Sequence, residues 1–360
     1  MGTRVALCIL VVGVALGAAA CGGDDDEGGG GGSAAGGGTP EGPVAVSSWG
    51  GSWTEAEQEH IGTPFTEETG IEVEYKVTGE SPTSPALLQA QSGNVQLDVI
   101  NSENAELLRS EDLLATWPQE IQDLLAEGAR EGSYKDDLIA FGSTANVIVC
   151  NPKVMKKCPT TAEEFWDVEG FPGRRAIMDQ AEAAMAFALQ ADGVPMEEVY
   201  PLDIDRAIAK LEEIKPDIRV WPGSGDEQQQ VLINEEVGAA IMWNGRAWGV
   251  KQENIEDLEL YWEGSQVSYG SGLVVMKDAP HQEAAFEYIK WILENPEAQA
   301  AWSSALTYMT PTNQLNDLVD PEVAEGLPSA HEEDVIVEDD VWLVENNEAI
   351  QSAWQEFLAG

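Results

Sequence analysis

Between residues 44 and 102 the hydrophobic period of the chain changes four times, and that alternation constrains the fold more than any other feature. "VAVSSW", from Val44, reads as a strand. "TEAEQEHIGTPFTEETG" reads as a helix that stops near Gly70. In "IEVEYKV", Ile71, Val73 and Tyr75 alternate with Glu72, Glu74 and Lys76, the period of a half-buried strand. "SPALLQAQSGN" returns to a helix, and "LDVINS" is a short buried strand. Strand, helix, strand, helix, strand predicts an α/β sheet with parallel pairs.

A second set begins at "TANVIVCN" and runs through "TTAEEFWDVEGFPGRRAIMD". Two helical stretches follow, "AEAAMAFALQADG" and "DIDRAIAKLEEIKP", each with a Gly or Pro stop. "VLINEEVGAAIMW" reads as a helix end plus a strand, and "GLVVMKDAP" as a further strand. "QEAAFEYIKWILENPEAQAAW" puts Ala285, Ile289 and Ile292 on one helical face, with Pro296 at a break or restart. "EAIQSAWQEFLAG" closes the chain as a helix. Two such α/β lobes, joined by more than one crossing, place a cleft between them. Ligands of open α/β sheets sit beyond the carboxyl ends of strands, and interlobe clefts are favoured pockets.

The N-terminus, "MGTRVALCILVVGVALGAAAC", has one Arg, an apolar run from Val5 to Ala20, and small residues directly before Cys21. It reads as a signal peptide over residues 1–20, too short and wrongly flanked for a lasting span. The small residues resemble a lipoprotein box, although Ala18 stands where leucine is usual. Lipid on Cys21 would anchor the chain to a membrane; ordinary cleavage with Cys21 unmodified is the alternative. Residues 22–43 hold no apolar side chain larger than Ala. They cannot pack, and as a flexible tether they reach about 26 Å. That favours the lipid, since a tether is useful to a body that stands off a surface. The protein is expected outside the cytoplasm, periplasmic or at the cell surface.

Charge excludes more than it identifies. Against 65 Asp and Glu the chain has 18 Lys and Arg, a net charge of -47. Nucleic-acid binding needs a basic footprint, so that class is excluded. The acid is spread along the whole chain, as on a solvated surface suited to a saline habitat. Cys150 and Cys158 flank "NPKVMKK" and are expected to form a disulfide in an exported protein. With three His in all, at 60, 281 and 331, and no ligand spacing, neither a metal nor another cofactor is expected.

One stretch asks a sharper question. "AIMWNGRAW", residues 240–248, ends an apolar strand on Trp243, followed by a tight-turn pair and Arg246. A Trp at a strand end is a plug for the core or a platform for a ligand. Here the residues are similar to the extracellular solute-binding proteins of bacterial ABC importers, and among them to the spermidine/putrescine-binding branch. The similarity spans nearly all of the chain after residue 44. It is carried by "SWGGSWTEAEQEHIGTPFTEETGIEVEY", "LDVINSENAELLRSEDLLATW", "TTAEEFWDVEGFPGRRAIMD", "GAAIMWNGRAW" and "GSGLVVMKDAPHQEAAFEYIKWILENPEAQAAWSSALTYMTPTN".

The resemblance implies a two-lobe periplasmic-binding-protein fold of type II with several hinge crossings. Lobe 1 would be residues 44–143 plus 272–310, and lobe 2 residues 144–271 plus 311–360. Hinges are expected near Gly142–Ala145 and Gly270–Gly272. It also implies the cleft residues: Trp49 and Trp53, Ser102 and Glu103, Asp179 and Glu182, Trp243, Tyr269 and Ser271, and Tyr308. A polyamine such as spermidine or putrescine would be captured as the lobes close, then passed to ABC permease subunits by a monomeric receptor.

Elementary chemistry supports an amine. An ammonium over an aromatic face gains roughly 0.5–2 kcal/mol, and a carboxylate adds a charge-assisted hydrogen bond. The bland roles stand beside the functional ones. Asp179 would N-cap the next helix, Glu182 would be solvated, Trp53 would cap the following helix against the sheet, and Arg174 and Arg175 would pair with local acids. Trp117, Trp166, Trp221, Trp291 and Trp302 are assigned to packing. The sequence also departs from the polyamine pattern. Tyr269-Gly270-Ser271 has no acid two residues after its aromatic, and Gln180 and Ala183 interrupt "MDQAE". Arg246 could bind an anionic group. A zwitterion, another amino-acid derivative or a sugar is therefore open. An extracellular hydrolase is the rival from another class, and no nucleophile elbow, His-pair metal motif or phosphate loop supports it.

Overall fold

The computed structural model describes residues 40–360 other than Glu80. The leader, Cys21 and most of the tether lie outside those residues. Ten strands among the described residues form two sheets. The first has the order β2-β1-β3-β9, with β1 (Val44–Ser48), β2 (Val73–Val77), β3 (Val99–Ser102) and β9 (Gly272–Val275). β1 runs parallel to β2 and β3, and β9 closes the edge antiparallel to β3. The second has the order β10-β8-β4-β7-β5-β6. Its strands are β4 (Ala145–Cys150), β5 (Arg175–Ile177), β6 (Ile218–Val220), β7 (Ala239–Trp243), β8 (Glu259–Val267) and β10 (Val335–Val337). The chain is a two-lobe, type II mixed α/β fold, one sheet to a lobe, and it crosses between sheets after β3, after β8 and after β9.

Each sheet is covered by helices that the sequence pattern made amphipathic. The helix Gln282–Glu294 buries Ala285, Ile289 and Ile292, the three residues its spacing placed on one face. Pro296 opens a new helix, Pro296–Leu306, after a one-residue break at Asn295. The helix Ile204–Ile214 buries Ala207, Leu211 and Ile214, and its Asp203 side chain accepts from the Arg206 amide at the N-terminus. Trp117, Trp291 and Trp302 are buried, as packing residues should be. Trp221 stacks edge-on against Trp354 and Phe357 of the last helix.

Cys150 ends β4 inside the second lobe's core and is bonded to Cys158, with Cα atoms 5.7 Å apart. Two local expectations are corrected. Arg175 is fully buried and donates to the backbone carbonyls of Phe165, Phe171 and Gly173, not to acids. Arg174 likewise donates to the Glu235 carbonyl. The carbonyls that Arg175 meets lie in the last turn of the helix Ala162–Trp166 and in the loop before β5, and a guanidinium with five donors satisfies several at once.

Candidate functional site

The first lobe contributes an aromatic wall. Gly50 and Gly51 follow β1 with φ of 88° and 54°, left-handed values that glycine adopts without strain. That turn sends the chain into the helix Gly51–Glu57, which carries Trp53 within it rather than at its cap. The Trp49 and Trp53 rings lie 5.9 Å apart, and Trp53 meets Trp302 edge-on at 4.9 Å and Tyr308 at 5.7 Å. Both Trp49 and Trp53 are half-buried, and the Trp49 Nε1 is buried without a protein partner. Glu57 underlies this wall. Its carboxylate accepts from the Ser48 hydroxyl and, at 2.8 Å, from Asn101 Nδ2. Burial pushes its pKa up to about 7, although the Ser48 and Asn101 donors pull the other way.

The second lobe contributes a polar row. Trp243 is the last residue of β7 and is half-buried. Its register partner on β4 is Asn146, and the partner of Asn146 on β8 is Gln266. Directly paired residues project to one face, so Trp243, Asn146 and Gln266 form a row across three strands. Asn146 Oδ1 and Gln266 Oε1 are buried without a protein partner.

Asn244 and Gly245 do not turn the chain aside, as the pair suggested. They open the helix Asn244–Glu253. Asn244 is fully buried; its Oδ1 accepts from the Ala145 amide at 2.9 Å, and its Nδ2 donates to Thr307 O at 2.9 Å and Gly326 O at 2.8 Å. Gly245 is a close-approach glycine. A Cβ there would strike the Tyr308 ring and come within 2.7 Å of the Leu306 carbonyl. Arg246 stands beside the Tyr308 hydroxyl and pairs at 3.1 Å with Asp226 on the rim. Burial raises the Tyr308 pKa, and the guanidinium opposes that rise.

The acids expected at the site are largely committed to their own lobes. Glu103 accepts from Ser81 Oγ at 2.6 Å and the Thr83 amide at 3.0 Å. Ser102 is fully buried and shares a 2.7 Å hydrogen bond with Thr83. Ser271 donates to the Glu103 carbonyl at 2.9 Å. Asp179 accepts from Trp354 Nε1 at 2.6 Å and is not the helix cap; Gln180 occupies that position and makes no cap bond. Glu182, in the first turn of the helix Ala181–Ala191, accepts from Gln180 Nε2 at 3.2 Å.

Tyr269 lines an interlobe cavity of about 490 Å3 with Gly132, Lys135, Glu338, Asp339 and Asp340. A hollow of about 530 Å3 lies between Leu202–Asp205 and the last helix, away from this row. Nothing local marks Asn146, Asn244, Gln266 or Glu338 as site residues. The available signal was a polar residue inside an otherwise apolar strand run, as in "TANVIVC" and "EGSQV". Among the described residues no three His, Cys, Asp or Glu side chains converge to hold a metal.

The unpaired groups differ between the walls. The first lobe's wall offers the Trp49 Nε1 donor, and Tyr308 there lies beside Arg246. The second lobe offers Asn146 Oδ1 and the Oε1 atoms of Gln266, Gln180 and Glu338, acceptors without a protein partner. A buried polar atom without a partner costs free energy until something pairs with it. A small solute that brings donors to these oxygens would relieve that cost.

The chain matches the family described as bacterial extracellular solute-binding protein over residues 60–328. It is 28% identical to a gamma-aminobutyric acid-binding protein of Pseudomonas aeruginosa over 80% of this chain and 82% of that protein. It is 24% identical to the spermidine/putrescine-binding periplasmic protein of Escherichia coli over 76% of this chain and 80% of that protein. A solved structure described as a GABA receptor, 26% identical, superposes with a TM-score of 0.80 over 88% of this chain and 97% of that one.

Proposed function

The chain belongs to the bacterial extracellular solute-binding protein family, and from that premise we propose that it captures a small ω-amino acid, of the size and charge of 4-aminobutyrate, between its lobes. At the level of the family it is an ABC-type substrate-binding protein for a small solute and not an enzyme. The observation that carries the finer reading is the polarity of the cleft. Trp49 Nε1, Tyr308 and Arg246, whose guanidinium keeps donors beyond its Asp226 pair, form one group, and the partnerless oxygens of Asn146 and Gln266 lie in register with Trp243. A ligand carboxylate suits the first end, and its ammonium suits the second, over the Trp243 face.

Closure follows from a ligand that touches both lobes, since only contacts made across the cleft favour the closed state. The closed receptor then hands its ligand to an ABC permease, held near the membrane by lipid on Cys21 and the tether. Lobe 1 is residues 44–143 plus 272–310, and lobe 2 residues 144–271 plus 311–360. The division is supported by which strands share a sheet. A polyamine is the second reading. It is favoured by Trp243 and by the relative described as spermidine/putrescine-binding, and it is opposed by the arginine at one end of the site.

Thermal unfolding separates the two. The C21S chain is heated in high salt with 4-aminobutyrate, putrescine, spermidine, glycine betaine or a sugar, all at one common concentration. A solute present at about 100 times its dissociation constant stabilises by about 2.7 kcal/mol, a shift of several degrees, and a weaker one by less. The expected result is a shift with 4-aminobutyrate larger than with putrescine. A shift with putrescine or spermidine alone restores the polyamine, and a shift with a sugar alone removes both amine readings.

A further inference from the structure

We propose that Glu338, carried in by the last crossing of the chain, is the counter-ion for the ligand's ammonium group, replacing the acid that Tyr269-Gly270-Ser271 lacks. This inference rests on the amine reading above and names the residue that sets it.

The argument begins with elimination. Each acid that the sequence placed in the cleft is spent. Glu103 holds Ser81 and Thr83, Asp179 holds Trp354, and Glu182 holds Gln180. Glu338 differs. It is 8% exposed, it lines the interlobe cavity, and its Oε1 is buried without a partner. Its amide donates to Val267 O at 3.0 Å, and Ile336, two residues earlier, is the register partner of Gln266, the outer member of the polar row. A partnerless buried carboxylate oxygen is costly, and an ammonium is the group that relieves it most.

The neighbours fit the role. Glu182, from the helix Ala181–Ala191, and Asp340, from the helix Asp340–Glu345, both face Glu338 closely enough to disfavour its charge. The Tyr200 hydroxyl, also buried without a partner, lies near the same three acids. Ser268 stands beside Glu338 and favours its ionised form. Lys135 reaches the cavity but is tied to Glu106 at 2.7 Å, so it does not neutralise Glu338. Gly270 has no Cβ, and one there would strike the Asp340 carboxylate, so the acids can sit against the crossing itself.

A consequence is that amine capture releases a proton. Burial first, and then Glu182 and Asp340, push the Glu338 pKa up to about 8, so the empty site is mostly protonated near neutrality. An ammonium favours the carboxylate and drives the proton off. Affinity therefore rises with pH, approaching about tenfold per unit below the raised pKa and flattening above it.

Titration calorimetry of the C21S chain and of the same chain with Glu338→Gln tests this. The probes are 4-aminobutyrate and putrescine, in buffers of different ionisation enthalpy between about pH 6 and pH 8. The expected result is affinity at least about tenfold weaker in E338Q, with the released proton and the pH dependence both gone. E338Q replaces a mostly protonated buried carboxyl by a neutral amide of the same shape, so its ligand-free melting temperature should equal or exceed that of the parent. An E338Q chain that is folded and binds as tightly as its parent overturns the inference and leaves the amine reading standing. A weaker E338Q that still releases the proton also overturns it, because the loss is then one of packing. A parent that binds neither probe overturns the amine reading together with this inference.

Discussion

Asn244→Ala is expected to destabilise the protein by about 3–5 kcal/mol, because it strands three buried backbone groups at about 1–3 kcal/mol each before partial relaxation. The Ala145 amide loses its acceptor, and the carbonyls of Thr307 and Gly326 lose their donor. These groups belong to three separate stretches: the entry to β4, the end of the helix Pro296–Leu306 and the turn before Leu327. One side chain therefore ties the polar row of the second lobe to Tyr308 of the aromatic wall. Denaturant unfolding measures the loss. The 4-aminobutyrate affinity should fall with it, since Trp243 and Tyr308 are both positioned by this side chain. A loss under about 1 kcal/mol would mean that the three backbone groups find other partners.

Gly142→Ala is expected to cost about 2–4 kcal/mol and to weaken ligand binding by more than about tenfold, through strain and overpacking together. Gly142 has a φ of 78°, where an L side chain is strained. An added Cβ would also strike the Trp53 ring and approach Trp302 to 3.1 Å. Trp302 is fully buried and cannot yield, so Trp53 must move. Since Trp53 packs against Trp49 and Tyr308, the wall moves with it. Near-ultraviolet circular dichroism reports the indole rearrangement directly. Unchanged ellipticity with unchanged affinity would show that Trp53 is not a wall of the ligand site.

What could be read in the sequence follows from which signals are local. The alternation from Val44 to Ser102 needs no tertiary information, and it appears as β1, β2 and β3 with helices between. Pro296 likewise acts through its own ring and missing amide. Asn244-Gly245 misleads because the pair favours a turn only where nothing else holds the asparagine. Here three distant backbone groups hold it, and a helix starts instead. Arg175 misleads for the same reason: its partners are carbonyls brought near by the fold. Trp243 was visible because a large ring at a strand end is unusual. Glu338 was hidden because it is one acid among 65, and only burial distinguishes it.

Trp243 ends β7 half-buried and in register with the orphaned oxygens of Asn146 and Gln266. The ligand proposed for this cleft has two unlike charged ends. Calorimetric titration of the C21S chain with 4-aminobutyrate, butylamine and butyrate tests it most directly, since each analogue keeps one charged end and drops the other. Both analogues are expected to bind at least about a hundredfold more weakly than 4-aminobutyrate, because each leaves one group of site atoms unpaired. Butylamine binding as tightly as 4-aminobutyrate would contradict it, and would show that the arginine end takes no part in holding the ligand.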